Sequence, residues 1–264
     1  MFKKILKILG LLILAVVMTF AGIPVIEKIG MLIDQPLPQE QFDGLAGTLG
    51  LVPTAVFLGI LAHKKGWFSD LKEHKIKLDL RAIPLSLFAI SAGTVLTGTV
   101  TALVCGGLFP ITPGVGSHSI IAFISAIVIA PLTEEFILRV GIYGALRTAF
   151  PIKAAMVIQA AIFAAVHFYS LQGTLEAFAI GMILVIFFEK TGNIFYSIIA
   201  HMACNIFAHV SNALVRRGIP FYTEPNGYLI YHAAVIATAV VIVAVAAVII
   251  RKGKVKSVQS SCSR

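Results

Sequence analysis

Charge is what this sequence has least of. Charged residues occupy 12% of the 264 positions, against roughly 25% in soluble domains. Hydrophobic residues make up 58% and the mean hydropathy is +0.96. A water-soluble fold could not cover that much apolar surface, so the bilayer must be the solvent. Cysteine is also scarce: Cys105 and Cys204 lie inside apolar runs and Cys262 in the C-terminal tail. Three thiols with no CxxC pair leave no disulfide framework and no cysteine metal motif. The absence of an internal repeat argues against a transporter built from inverted halves.

What charge there is leans basic, with 21 Lys and Arg against 12 Asp and Glu, a formal net charge of +9. The basic residues stand at the ends of apolar runs instead of forming one patch. That arrangement orients a membrane protein and excludes nucleic acid as the expected partner.

Apolar runs between charged or turn-rich breaks lie near 5–33, 45–63, 82–106, 119–147, 152–170, 174–189, 194–214 and 229–250. Because a span takes about 20 apolar residues, the expected fold is all-α, a polytopic membrane protein of about eight transmembrane helices. The breaks at Lys3–Lys7, His63–Arg81, Arg147–Lys153, Lys190 and Arg251–Lys256 are basic, whereas the break at Asp34–Asp43 is acidic. The alternation predicts a multi-pass protein of the cell membrane with both termini cytoplasmic. Arg216 and Arg217 fall on the opposite side and are outnumbered.

Lys3, Lys4 and Lys7 before an apolar run also describe a signal peptide. The run continues past Pro24 with no clear A-x-A site, so an uncleaved first helix is expected. The segment 63–81 carries Trp67, Phe68, Leu71, Ile76 and Leu78 among its charges, and either lies along the inner headgroups or is a solvated loop. The tail RKGKVKSVQSSCSR reads as a stop-transfer signal that also attracts anionic membrane lipid.

Ionisable side chains inside a span cost several kcal/mol unless paired or functional. Here they gather in three runs. PLTEEFILRVGIYGAL holds Glu134, Glu135 and Arg139, AAIFAAVHF holds His167, and SIIAHMACNIFAH holds His201, Asn205 and His209. With the basic residue at each run's cytoplasmic end as a ruler, Glu134, His167, His201 and Asn205 all fall roughly 16–23 Å deep at a rise of 1.5 Å per residue. Groups at one depth on three helices can converge.

Glu135 and Arg139 are four apart and share a face, where carboxylate and guanidinium neutralise each other. Glu134 points about 100° away, without a basic partner at helical spacing, and is left to act across helices as a general base. His201 and Asn205, again four apart, present an imidazole and an amide on one face, two donors suited to a developing oxyanion. His209, one turn further, reads as a core or interfacial histidine. Cys204 points away from both His201 and Asn205 and reads as a packing residue, not a nucleophile. On these residues alone, a protease and a proton-coupled transporter fit equally well.

The order EExxxR (Glu134, Glu135, Arg139), FxxxH (Phe163, His167) and HxxxN (His201, Asn205) resembles the CAAX-processing and bacteriocin-processing family, also called Abi. That family includes the type II CAAX prenyl endopeptidases. The resemblance implies a core at 118–214, preceded by N-terminal helices and a basic loop at 1–117 and followed by a last helix and basic tail at 215–264. It further implies an intramembrane endopeptidase that cleaves a membrane-associated peptide or protein. Glu134 and His167 would activate a water, and His201 and Asn205 would stabilise the oxyanion. No cofactor is expected; a zinc-dependent relative would have to recruit Glu134, His167 and His201 and would leave Asn205 without a role. The nonenzymatic alternative is a membrane immunity or scaffold protein. Cysteines introduced across 63–81 should react with impermeant label only from the cytoplasmic side; labelling from outside would overturn the topology.

Overall fold

The computed structural model describes residues 2–30, 45–70, 120–167 and 171–216, and every regular element among them is helical. The spans expected near 82–106 and 229–250 lie outside the described residues. Helix α1 covers Phe2–Gly30. A helical turn at 45–49 leads into α2, Val52–Lys65. Helix α3 runs over Ile120–Arg147, followed by α4 (Ile152–Val166), α5 (Leu171–Thr191) and α6 (Ile194–Arg216). Lys3–Ile26, Leu45–Lys65 and Ile120–Arg147 are long and apolar enough to cross a membrane, and Ile152–Val166 and Ile194–Ile206 are shorter apolar helices.

Large apolar side chains face outward along these helices, among them Ile13, Phe20, Ile120 and Phe195, each more than half exposed. Such a surface suits a lipid environment, where burial from water needs no protein partner. Helix association then depends on close approach and on polar contacts. Between α1 and α2 both occur. A Cβ on Gly22 would stand 2.8 Å from the Gly50 carbonyl oxygen, and the Thr19 and Thr54 hydroxyls are hydrogen-bonded at 3.1 Å.

Helix α3 is the centre of the bundle. Its Phe136–Tyr143 part packs on α2, its earlier half on α6, and its second half also on α4. It is not a uniform α-helix: Ser125–Ile129 and Phe136–Tyr143 are π-type, and the α-helical Ala130–Glu135 lies between them. Widened turns of this kind occur often at functional sites. They bracket the two adjacent glutamates.

Chain ends are set by local chemistry. Helix α2 stops at Gly66, whose φ of 60° is the left-handed cap that glycine adopts without a Cβ penalty. Helix α6 starts at Asn193, whose side-chain oxygen accepts the Phe195 N–H at 3.1 Å. Helix α4 ends earlier than the apolar run 152–170 suggests. Val166 is its last residue, and His167 caps it with φ −106° and ψ 28°. The physical reason is at His167 itself, whose ring Nδ1 donates to the Phe163 carbonyl at 2.8 Å and so satisfies one of the carbonyls a helix end leaves open.

At the basic end of the bundle, Arg147 joins three segments. Its Nη2 lies 2.6 Å from Asp70 Oδ2 and 3.1 Å from Glu189 Oε1, and the Tyr143 hydroxyl donates to Glu189 Oε2 at 2.8 Å. Phe68 stacks edge-on against Phe188, with ring centroids 5.1 Å apart. Helices α2 and α3 approach closely at Gly141, where a Cβ would meet Leu58 Cδ1 at 2.6 Å and Leu58 Cβ at 2.8 Å. Gly141→Ala should therefore push α2 from α3 and cost about 1–3 kcal/mol, read as a lower unfolding temperature in detergent; an unchanged temperature would show that the contact yields freely.

Candidate active site

Helices α3, α4 and α6 bring three of the expected residues together. Glu134 Oε2 stands 3.9 Å from His167 Nε2 and 3.8 Å from His201 Nε2. Both separations exceed hydrogen-bond range. Each imidazole turns Nε2 toward the carboxylate because Nδ1 is held elsewhere. In His167 the holder is the Phe163 carbonyl at 2.8 Å; in His201 it is Glu135 Oε1 at 2.9 Å. Carbonyl and carboxylate oxygens only accept, which assigns a proton to Nδ1 in both rings.

The adjacent glutamates thus part company as their divergence on the helix requires. Glu134 faces the two histidines. Glu135 Oε2 lies 3.0 Å from Arg139 Nε, with both side chains fully buried. This contact is ionic and lacks hydrogen-bond alignment, and the Arg139 Nη1 and Nη2 atoms have no hydrogen-bond partner among the described residues. The guanidinium instead lies over the Phe163 ring at 5.5 Å, a cation–π arrangement. Phe163 also meets both histidines, with centroids 4.3 Å from His167 and 5.7 Å from His201. It is the apolar wall around which the polar groups are arranged.

Exposure is graded across the cluster. The His167 side chain is 31% exposed and Glu134 21%, whereas His201 is 4% exposed and Glu135 fully buried. The site opens at His167 and closes toward Arg139.

Asn205 lies one turn beyond His201 on α6, and its Nδ2 donates to the Ala126 carbonyl at 2.8 Å. That amide nitrogen carries a second proton. His209 packs edge-on against Phe123 with centroids 5.6 Å apart, away from the glutamate cluster. Cys204 is buried and packs with Leu184 and Ala200. Two features escaped the motif reading. One is the bond from His201 to Glu135, which helical spacing within one run cannot reveal. The other is Gln159, fully buried and two turns before His167, with neither amide atom hydrogen-bonded among the described residues; its apolar surroundings are the signal that could have marked it.

Glu134, His167 and His201 are ligand types for zinc, and both Nδ1 atoms are anchored as ligating histidines commonly are. Their disposition does not fit, since no three His, Cys, Asp or Glu side chains among the described residues are placed to hold a metal ion.

Residues 116–207 match the family described as Type II CAAX prenyl endopeptidase Rce1-like. That stretch is similar to the Rce1-like family. The match encloses all three motifs and bears out the resemblance they carry. Neither a curated protein nor a solved structure gives a significant match.

Breaking the buried pair by Glu135→Gln leaves the Arg139 charge uncompensated. The variant should lose about 3–5 kcal/mol of stability, seen as a lower unfolding temperature. Wild-type stability in that variant would show that the pair is not the buried contact described.

Proposed function

We propose that this chain is an intramembrane endopeptidase, multi-pass in the cell membrane with both termini cytoplasmic, that cleaves a membrane-associated peptide or protein of CAAX or bacteriocin-related type. The observation that carries the reading is the placement of Glu134 Oε2 at 3.9 and 3.8 Å from two imidazole Nε2 atoms. Those distances suit two partners of one shared water.

The water gives one hydrogen to the Glu134 carboxylate and the other to the lone pair of His167 Nε2. As its oxygen attacks the scissile carbonyl carbon, Glu134 takes the proton, and the carbonyl π electrons become the oxyanion. His201 and the second Nδ2 proton of Asn205 donate to that oxygen. The oxyanion electrons then re-form the carbonyl as the C–N bond breaks, its electron pair leaves with the nitrogen, and the proton on Glu134 passes to that nitrogen, which releases an amine and a carboxylic acid. The exposed His167 side of the cluster is where substrate and water arrive.

Glu134→Gln and His167→Ala should each abolish cleavage of a CAAX-type peptide in reconstituted vesicles, whereas His209→Ala should retain most activity. Activity surviving Glu134→Gln would sink the general-base role, and a biological effect that persists in Glu134→Ala would favour a scaffold. The residues also suffice without a metal. Purified protein should contain far less than one metal ion per chain and keep its activity through prolonged chelation; stoichiometric zinc, with activity lost to chelator and restored by zinc, would convert Glu134, His167 and His201 into ligands.

A further inference from the structure

His201 is held between the two adjacent carboxylates of α3, one at each ring nitrogen. Glu135 Oε1 takes the Nδ1 proton at 2.9 Å, and Glu134 Oε2 stands 3.8 Å from Nε2. His167 meets the same Glu134 oxygen at 3.9 Å, but its Nδ1 rests on an uncharged backbone carbonyl. Besides their exposure, the two histidines that flank Glu134 therefore differ in whether an anion stands behind the ring.

That difference separates their chemistry. A histidine that donates from Nδ1 offers a lone pair at Nε2, which suits holding a water's hydrogen. A histidine that must also donate from Nε2, as an oxyanion partner does, carries both ring protons and a positive charge. The Glu135 carboxylate stands against that charge at His201, whereas His167 Nδ1 is on the Phe163 carbonyl and no carboxylate among the described residues stands behind it. Orientation is set by the same contact. His201 is 4% exposed, so solvent offers no competing partner that could turn the ring.

We propose that Glu135 is a positioning residue for the reaction: it fixes the tautomer and ring orientation of His201, and so makes His201 the oxyanion donor and leaves His167 as the partner of the water. Arg139 stands one step further back, 3.0 Å from Glu135 Oε2, where it balances the charge of the carboxylate. The proposal rests on the endopeptidase reading.

A role in positioning and a role in stability part when the ion pair is removed from both proteins compared. Arg139→Met keeps the carboxylate on His201 and leaves it uncompensated. The double variant Glu135→Gln with Arg139→Met has no buried charge at either position and an amide against Nδ1. The double variant should unfold at a higher temperature than Arg139→Met, yet its kcat should be about tenfold lower or more, with KM little changed, as expected when a buried group behind a catalytic histidine is lost. A kcat that rises with stability would overturn the proposal, since Glu135 would then be only a partner for Arg139.

A second measurement needs no substrate. In protein carrying nitrogen-labelled histidine, the His201 Nδ1 proton should give a downfield resonance in wild type and in Arg139→Met, and lose it in the double variant. The His167 resonance should persist in all three as an internal reference. A His201 resonance unchanged by loss of the carboxylate would overturn the contact itself. If wild type cleaves no peptide the endopeptidase reading fails, while the resonances still decide whether Glu135 orients His201.

Discussion

The site depends on one contact, the buried pair between the Glu135 carboxylate and the Arg139 guanidinium. An isolated charge in an apolar interior is expensive, and two opposite charges in contact remove most of that expense without releasing either side chain to water. Once Oε2 is committed to arginine, Oε1 points across to α6 and takes His201. Phe163 then packs against the guanidinium and both imidazoles. The order of dependence runs from a charge pair, through an acceptor, to a ring orientation, and Glu134 is the group that the finished arrangement leaves uncommitted.

Much of this was legible in the residues. Low charge and long apolar runs require a helical membrane protein, and the three polar runs carried both the family resemblance and the groups that converge. The pairing of Glu135 with Arg139 followed from a spacing of four. The separation of Glu134 from Glu135 followed from helical geometry. What stayed hidden is information that one run does not contain. That Glu135 reaches His201 depends on how α3 and α6 are placed side by side. That His167 stands just past α4 depends on its own ring capping the helix. The π-type stretches of α3 leave the apolar pattern intact and so give no period to detect.

In the proposed reaction water has to reach a bond inside a membrane, and the gradient of exposure suits that need. His167 and Glu134 are partly open, where a hydrolytic water must exchange. His201, Glu135 and Arg139 are closed, where electrostatic interactions are strongest because solvent does not screen them. In the proposed reaction, supply and activation of the water therefore share the open side of the cluster and oxyanion stabilisation the closed side, with Glu134 on the boundary between them.

The two widened stretches of α3 bear on how such a site can change over evolutionary time. Adjacent glutamates with different duties make the helix a reading frame: one inserted or deleted residue upstream would rotate the pair by about 100° and hand each acid the other's neighbours. A π-type turn is a place where a helix takes up an extra residue without breaking. With one on each side of Ala130–Glu135, the flanks can absorb length changes while the central frame stays in phase. Length variation in relatives should then collect at Ser125–Ile129 and past Arg139, and spare the stretch from Ala130 to Arg139, whose spacing the Glu135–Arg139 pair fixes.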